Sequence, residues 1–66
     1  MEIHILDALR LFRNGLRLRE IAMYLRVSPF VLIDDLDKLH KAGLVKGTAV
    51  NDFAQGESYI IWQVVE

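Results

Sequence analysis

Residues 18–45 constrain the fold more than any other part of the chain. They read as a helix, a short break at Val27, Ser28 and Pro29, and a second helix that ends at Gly43. Serine accepts hydrogen bonds from the free N–H groups at a helix start, and proline suits the first helical position because its missing N–H has no partner there. The pattern therefore predicts two short helices set at a steep angle by a tight turn.

Apolar side chains recur at helical spacing in three segments, which predicts helices over about residues 2–13, 18–26 and 29–42. Asn14-Gly15 and Gly43 tolerate the left-handed conformation that ends a helix, so they mark the ends of the first and third helices. The stripes expected to face the core are Ile5, Leu6, Leu9 and Phe12, then Leu18, Ile21, Ala22 and Leu25, then Leu32, Leu36 and Leu39.

After Leu44 the pattern changes from helical to alternating. It predicts strands over about residues 44–50 and 59–65, joined by a flexible loop that contains Gly56. Two strands alone are marginally stable, so the hairpin should pack on the helices. Trp62 is expected to close the core, although the opposite face of the same strand remains an alternative. The predicted fold is α+β, with three helices followed by a two-stranded β-hairpin.

Length and composition limit the class of protein. A chain of 66 residues forms one small domain, 1–66, that buries only about 60% of its unfolded surface. Because 53% of the residues are hydrophobic, some apolar side chains should remain outside the core. No apolar run approaches the roughly 18 residues of a membrane span, and the first residues do not resemble a signal peptide. We therefore expect a cytoplasmic protein that does not enter a membrane.

The net charge of −1 is unevenly distributed. Residues 1–33 carry five arginines against three acidic residues, whereas residues 34–66 carry three lysines against six. A surface that binds phosphate should therefore lie toward the first two helices.

The chain resembles the winged-helix (winged helix-turn-helix) superfamily over nearly its whole length, and it looks most like small prokaryotic-type transcription regulators such as sugar-operon repressors. The resemblance implies an α+β fold in which the predicted hairpin is the wing. The residues that carry it are Arg19-Glu20-Ile21-Ala22, Leu25-Arg26-Val27-Ser28, Asp35-Leu36, Leu39 and Ala42-Gly43-Leu44-Val45.

The resemblance implies a DNA-binding transcription regulator, with double-stranded DNA as its partner. In DNA-binding members the third helix enters the major groove, and the wing contacts the backbone or the minor groove. Residues placed to contact phosphates are Arg17, Arg19, Arg26 and Lys46, and those presented by the third helix are Ser28, Pro29, Phe30, Val31, Ile33, Asp34 and Asp37.

The chemistry of the third helix favours a different partner. An apolar patch with an acidic rim, as Phe30, Ile33 and Asp37 would form, is typical of a protein interface. The alternative function is therefore a protein-binding adaptor, and a homodimer is a further possibility. Taken alone, Phe30 is expected to pack inward under the second helix. The arginines are equally consistent with ordinary solvated charges.

No pattern indicates an enzyme, a cofactor or a metal site. His4 and His40 lack the spacing of metal ligands, and Ser28 has no nucleophile context. The aspartates of the third helix are expected to form ion pairs four residues apart, Asp34 with Lys38 and Asp37 with Lys41.

Overall fold

The computed structural model describes residues 2–65, so Met1 and Glu66, at the ends of the predicted domain, lie outside it. The described chain is α+β, as predicted, with three helices and one three-stranded antiparallel sheet of order β1-β3-β2. The elements are α1 (Glu2–Leu11), β1 (Leu16–Arg17), α2 (Leu18–Leu25), α3 (Pro29–Lys41), β2 (Val45–Asp52) and β3 (Glu57–Val64).

Local capping groups define both ends of α3. The hydroxyl of Ser28 accepts a hydrogen bond from the backbone N–H of Phe30 at 3.3 Å. At the other end Gly43 adopts a φ of 77°, and the N–H of Leu44 donates to the carbonyl of Leu39 at 2.9 Å. This is the Schellman arrangement, in which a left-handed residue lets the chain satisfy the last helical carbonyls.

An arginine flanks helix α2 at each end. The backbone N–H of Arg17 donates to the carboxylate of Glu20 at 2.8 Å, which satisfies a donor at the helix start. Arg26 adopts the left-handed conformation with φ 59°, and the N–H of Val27 then donates to the carbonyl of Ala22. The helix therefore ends at Leu25, and Arg26 begins the turn toward α3.

Helix α1 is shorter than predicted. It ends at Leu11, and Phe12 lies outside the core, 42% exposed, although its spacing placed it in the inward stripe. The Phe12 ring packs edge-on against Tyr24, with 5.4 Å between the ring centroids. Ala8, which the predicted stripe left out, is buried instead.

The sheet has a third strand, so the prediction of a two-stranded hairpin was wrong. The two-residue strand β1 pairs with β3, with Leu16 opposite Trp62 and Arg17 opposite Ile61. The hairpin itself is longer than predicted, since β2 and β3 pair over eight residues each, from Val45 opposite Val64 to Asp52 opposite Glu57. The turn occupies residues 53–56.

The core lies between the three helices and the inner face of the sheet. Trp62 and Val64 pack against it, so the face of β3 that carries Trp62 points toward the core, as first predicted. Beyond Trp62 the hairpin extends away from the core, and Ile60 on the same face is exposed. The buried residues are Ile5, Ala8, Leu9, Leu16, Ile21, Ala22, Leu32, Leu36, Leu39 and Val45.

Candidate partner-binding surface

The outward side of α3 is open to solvent. Its side chains Phe30, Val31, Ile33, Asp34 and Asp37 are all exposed, and we call this set the α3 face. The expected inward packing of Phe30 was wrong, because this side chain is 81% exposed. Leu32 is fully buried, and a residue two positions earlier lies about 200° around a helix, so the buried leucine turns Phe30 outward.

A shallow groove of about 230 Å³ separates α3 from the sheet. Its α3 side carries Ile33, which belongs to the α3 face, and His40, whose ring lies edge-on to Trp62 with 6.0 Å between centroids. Apolar side chains make up most of its lining, so it suits an apolar group rather than a phosphate. The groove is lined by Leu18, Ile33, Leu36, Asp37, His40 and Trp62.

A second groove continues the first along β3. Leu18 and Trp62 line both, so the two form one surface from Ile33 on α3 to Ile60 on the hairpin. The far end of this surface carries Arg17 and Arg19. The combined groove is therefore apolar in the middle, acidic beside α3 and basic at the start of α2.

Three of the four residues predicted to contact phosphate lie in or next to α2, since Arg17 precedes the helix, Arg19 is part of it and Arg26 follows it. The guanidinium of Arg17 sits 4.0 Å above the centre of the Tyr59 ring, a cation–π contact that orients this side chain. Arg19 lines a groove with Arg17 and another groove with Arg26. We call these three residues the arginine strip. Lys46 is separate from them, on β2 opposite Gln63, with β3 between it and Arg17.

The charge of the α3 face is partly compensated within the helix. The predicted ion pair between Asp37 and Lys41 is confirmed, with 2.9 Å between Oδ2 and Nζ. Both side chains are exposed, so the pair contributes at most about 1 kcal/mol to stability. The other predicted pair, Asp34 with Lys38, does not form in the described structure, so Asp34 is the more available acidic group of the α3 face.

Sequence reasoning missed two aromatic residues of this surface. Tyr59 was not among the predicted site residues, and its contact with Arg17 depends on the pairing of β1 with β3. Trp62 was expected only in the core, yet part of its ring lines both grooves. Neither position carries a local sequence signal, since both roles arise from contacts between distant segments.

Within residues 2–65, no helix has the length and apolar character to cross a membrane. The same residues contain no cluster of three or more histidine, aspartate or glutamate side chains able to hold a metal ion.

No protein-family model matches this chain, and no curated protein shows significant sequence similarity to it. The chemistry of the surface described above is therefore the basis for assigning a function.

Proposed function

We propose that this chain is a winged helix-turn-helix module that binds a protein partner through the α3 face and the adjoining groove. The order of elements supports the winged-helix interpretation, since a tight turn at Val27, Ser28 and Pro29 joins α2 to α3 and the β2–β3 hairpin follows. The observation that carries the functional proposal is that Phe30 and Ile33 are exposed three residues apart on α3 and that Ile33 lines the groove together with Trp62.

Three exposed apolar side chains within about one turn of a helix are costly to leave in water. Phe30, Val31 and Ile33 are each about half exposed or more. Exposed apolar patches with a polar rim mark interaction sites on small domains, and aromatic residues often anchor them. Burial of Phe30 alone would contribute roughly 1.5–3 kcal/mol to binding.

The same face suits duplex DNA poorly. None of the α3 face residues is basic, and Asp34 and Asp37 would approach the phosphates of the major groove. The Asp37–Lys41 pair offsets only one of these charges. A partner protein that offers apolar side chains flanked by Lys or Arg would complement both the patch and its acidic rim.

The helix-in-groove mode of recognition is the one this surface fits best. An amphipathic helix can place anchors at every third or fourth position into a groove between a helix and a sheet. Trp62 lines the groove and is the only tryptophan of the chain, so its fluorescence reports occupancy directly.

The test selects helical peptides from a displayed random library against the purified protein and titrates them by Trp62 fluorescence. We expect Ile33→Asp and Phe30→Ala each to weaken the selected peptides at least about tenfold, since each removes more than about 1.4 kcal/mol of apolar burial. Both positions are exposed, so far-UV circular dichroism should show intact helices. Gln55→Ala, an exposed change in the hairpin turn outside both grooves, is the matched control and should leave affinity unchanged. Peptides that bind Ile33→Asp as well as the parent protein would contradict the proposal.

The arginine strip supports a second candidate, a DNA-binding regulator that contacts phosphates through α2. Arg17 is held by Tyr59, while Arg19 in α2 and Arg26 directly after it are exposed. Three phosphate contacts would make the affinity for duplex DNA fall about fortyfold between about 50 and 200 mM salt.

A gel-shift series with duplex DNA at these two salt concentrations tests the second candidate. Arg19→Ala combined with Arg26→Gly should remove the shift, and glycine at position 26 suits the observed φ of 59°. Ile33→Asp should also weaken DNA binding if α3 enters the major groove. Absence of any shift at low salt would exclude this candidate.

A further inference from the structure

Strand β2 leaves one edge of the sheet open. The strand order β1-β3-β2 places it at the end of the sheet, and residues 46–50 make no backbone hydrogen bond on that side to any other described residue. Lys46, Gly47, Thr48 and Ala49 are exposed. Natural edge strands are usually protected by a central charge, a proline or a bulge, because unpaired N–H and C=O groups attract another strand. The middle of β2 has none of these.

The two charged residues of β2 sit at its ends. Lys46 and Asp52 are six positions apart, so alternation places both on the same face of the strand. In an antiparallel pair of identical strands around a twofold axis at Ala49, Lys46 of each copy lies opposite Asp52 of the other. This register therefore creates two opposite-charge pairs from one strand sequence, and an axis at any other residue separates these charges.

The remaining side chains fit the same register. Thr48 of one copy lies opposite Val50 of the other, and β-branched pairs across strands are favourable. On the inner face Ala49 meets its own equivalent and Gly47 meets Asn51, so no bulky or like-charged pair is brought together. Every opposed pair along seven residues is thus compatible.

The exposed side chain of the turn residue Phe53 becomes partly buried in this arrangement. Phe53 follows β2 directly and is 90% exposed. The register continues to place it opposite Val45 of the second copy, at the start of β2 and next in sequence to Leu44, whose side chain is exposed. An aromatic side chain fully exposed in the single chain would then contact apolar surface in the pair.

From these observations we propose that two copies of this chain associate through their β2 strands to form a six-stranded antiparallel sheet. The twofold axis passes through Ala49, and the strand order is β1-β3-β2-β2-β3-β1. The surface used is separate from the α3 face and the grooves. The dimer proposal can therefore be tested independently of the function proposed above.

Disulfide trapping tests the register directly. The chain has no cysteine, so Ala49→Cys introduces a single thiol at the proposed axis. Cα atoms of directly opposed residues lie about 4.5–5.5 Å apart, within the roughly 4.4–6.8 Å that a disulfide spans. Under mild oxidation Ala49→Cys should become a covalent dimer almost completely. Ser58→Cys, exposed on the same hairpin but away from the edge, is the matched control and should remain mainly monomeric.

Charge reversal tests the energetics by sedimentation equilibrium. Lys46→Glu turns two attractive pairs into two repulsive ones and should raise the dimer Kd at least about tenfold. Asp52→Asn should raise it less, and its remaining amide oxygen still accepts from the N–H groups of Ala54 and Gln55 in the turn. Lys38→Glu makes the same charge change on exposed α3 surface and should leave the Kd unchanged.

Two results would overturn the proposal. One is a parent protein that sediments as a monomer up to about 1 mM. The other is a dimer that resists Lys46→Glu and dissociates with Ile33→Asp, since that pattern would place the interface on the α3 face.

Discussion

Gly15 is the residue whose identity the fold restricts most clearly. It has a φ of 98°, a region that side-chain-bearing residues rarely adopt, and it lies where the loop after α1 passes against β3. A Cβ at this position would overlap with Cγ2 of Ile61 and lie 2.9 Å from Cγ of Gln63. Only glycine allows this close approach.

Gly15→Ala should therefore destabilise the protein more than a change at a glycine with backbone strain alone. Gly56 has a φ of 68°, and a methyl group placed on its Cα would meet no atom within 4 Å, so Gly56→Ala is the matched control. We expect the control to cost about 1–2 kcal/mol from the left-handed backbone. Gly15→Ala should cost about 1–3 kcal/mol more from overpacking.

Urea unfolding followed by circular dichroism measures both losses. Equal losses for the two variants would mean that the loop moves away from Ile61 without cost, and the close approach would then have no energetic role.

Gly15 was correctly predicted to lie outside a helix, but its structural role was predicted wrongly. It was interpreted as the residue that ends α1, whereas α1 ends at Leu11 and Gly15 instead admits the side chain of Ile61. The sequence shows a glycine whether the residue ends a helix or allows a close approach. The role of this glycine depends on which strand, distant in sequence, passes beside it. The spacing of the neighbouring residues does not indicate that strand.

At the scale of elements, the bounds of α3 could be predicted from residues in the helix and next to it. Its start at Ser28 and Pro29, its buried leucines and its end before Gly43 all follow from side chains within the element. The predicted end of α3, residue 42, therefore differs from the observed end, Lys41, by only one residue. The exposure of the α3 face, apart from Phe30, was predicted for the same reason, because a helix that buries one stripe presents the opposite one to solvent.

Strand β1 could not be found in this way. Two residues are too few to show alternation, and Leu16-Arg17 becomes a strand only because Trp62 and Ile61, near the other end of the chain, pair with it. The Arg17–Tyr59 contact depends on this pairing, so the basic end of the groove was also beyond sequence reasoning.

The cap of α3 gives a quantitative prediction at this scale. Ser28→Ala removes the acceptor for the N–H of Phe30 and should lower the free energy of unfolding by about 1 kcal/mol. Ser28→Asp supplies a carboxylate oxygen that can accept from the same N–H and should remain close to the parent. Thermal or urea unfolding of the three proteins checks this order, and a Ser28→Asp variant as unstable as Ser28→Ala would show that the hydroxyl contact contributes nothing.

At the scale of the whole molecule, Trp62 connects the sheet to the helices. Its ring lies edge-on to His40 of α3, and its six-membered ring lies close enough to Gly47 that a Cβ there would be 3.1 Å from Cζ3. It also lies opposite Leu16 of β1. This one side chain therefore touches or faces α3, β1 and β2, and it lines the groove beside α3.

An isolated two-stranded hairpin is marginal in water, so the β2–β3 hairpin should not remain folded once its contacts with α3 are lost. We therefore expect one cooperative transition, with urea midpoints from Trp62 fluorescence and from far-UV circular dichroism that coincide. Gly47→Ala crowds the indole and should lower both midpoints together, by about 1–3 kcal/mol in stability. If the fluorescence midpoint of this variant falls while the helical signal stays at its original midpoint, the hairpin and the helices unfold separately. Because the groove needs both walls, coincident midpoints would also mean that partner binding stabilises the entire described chain rather than α3 alone.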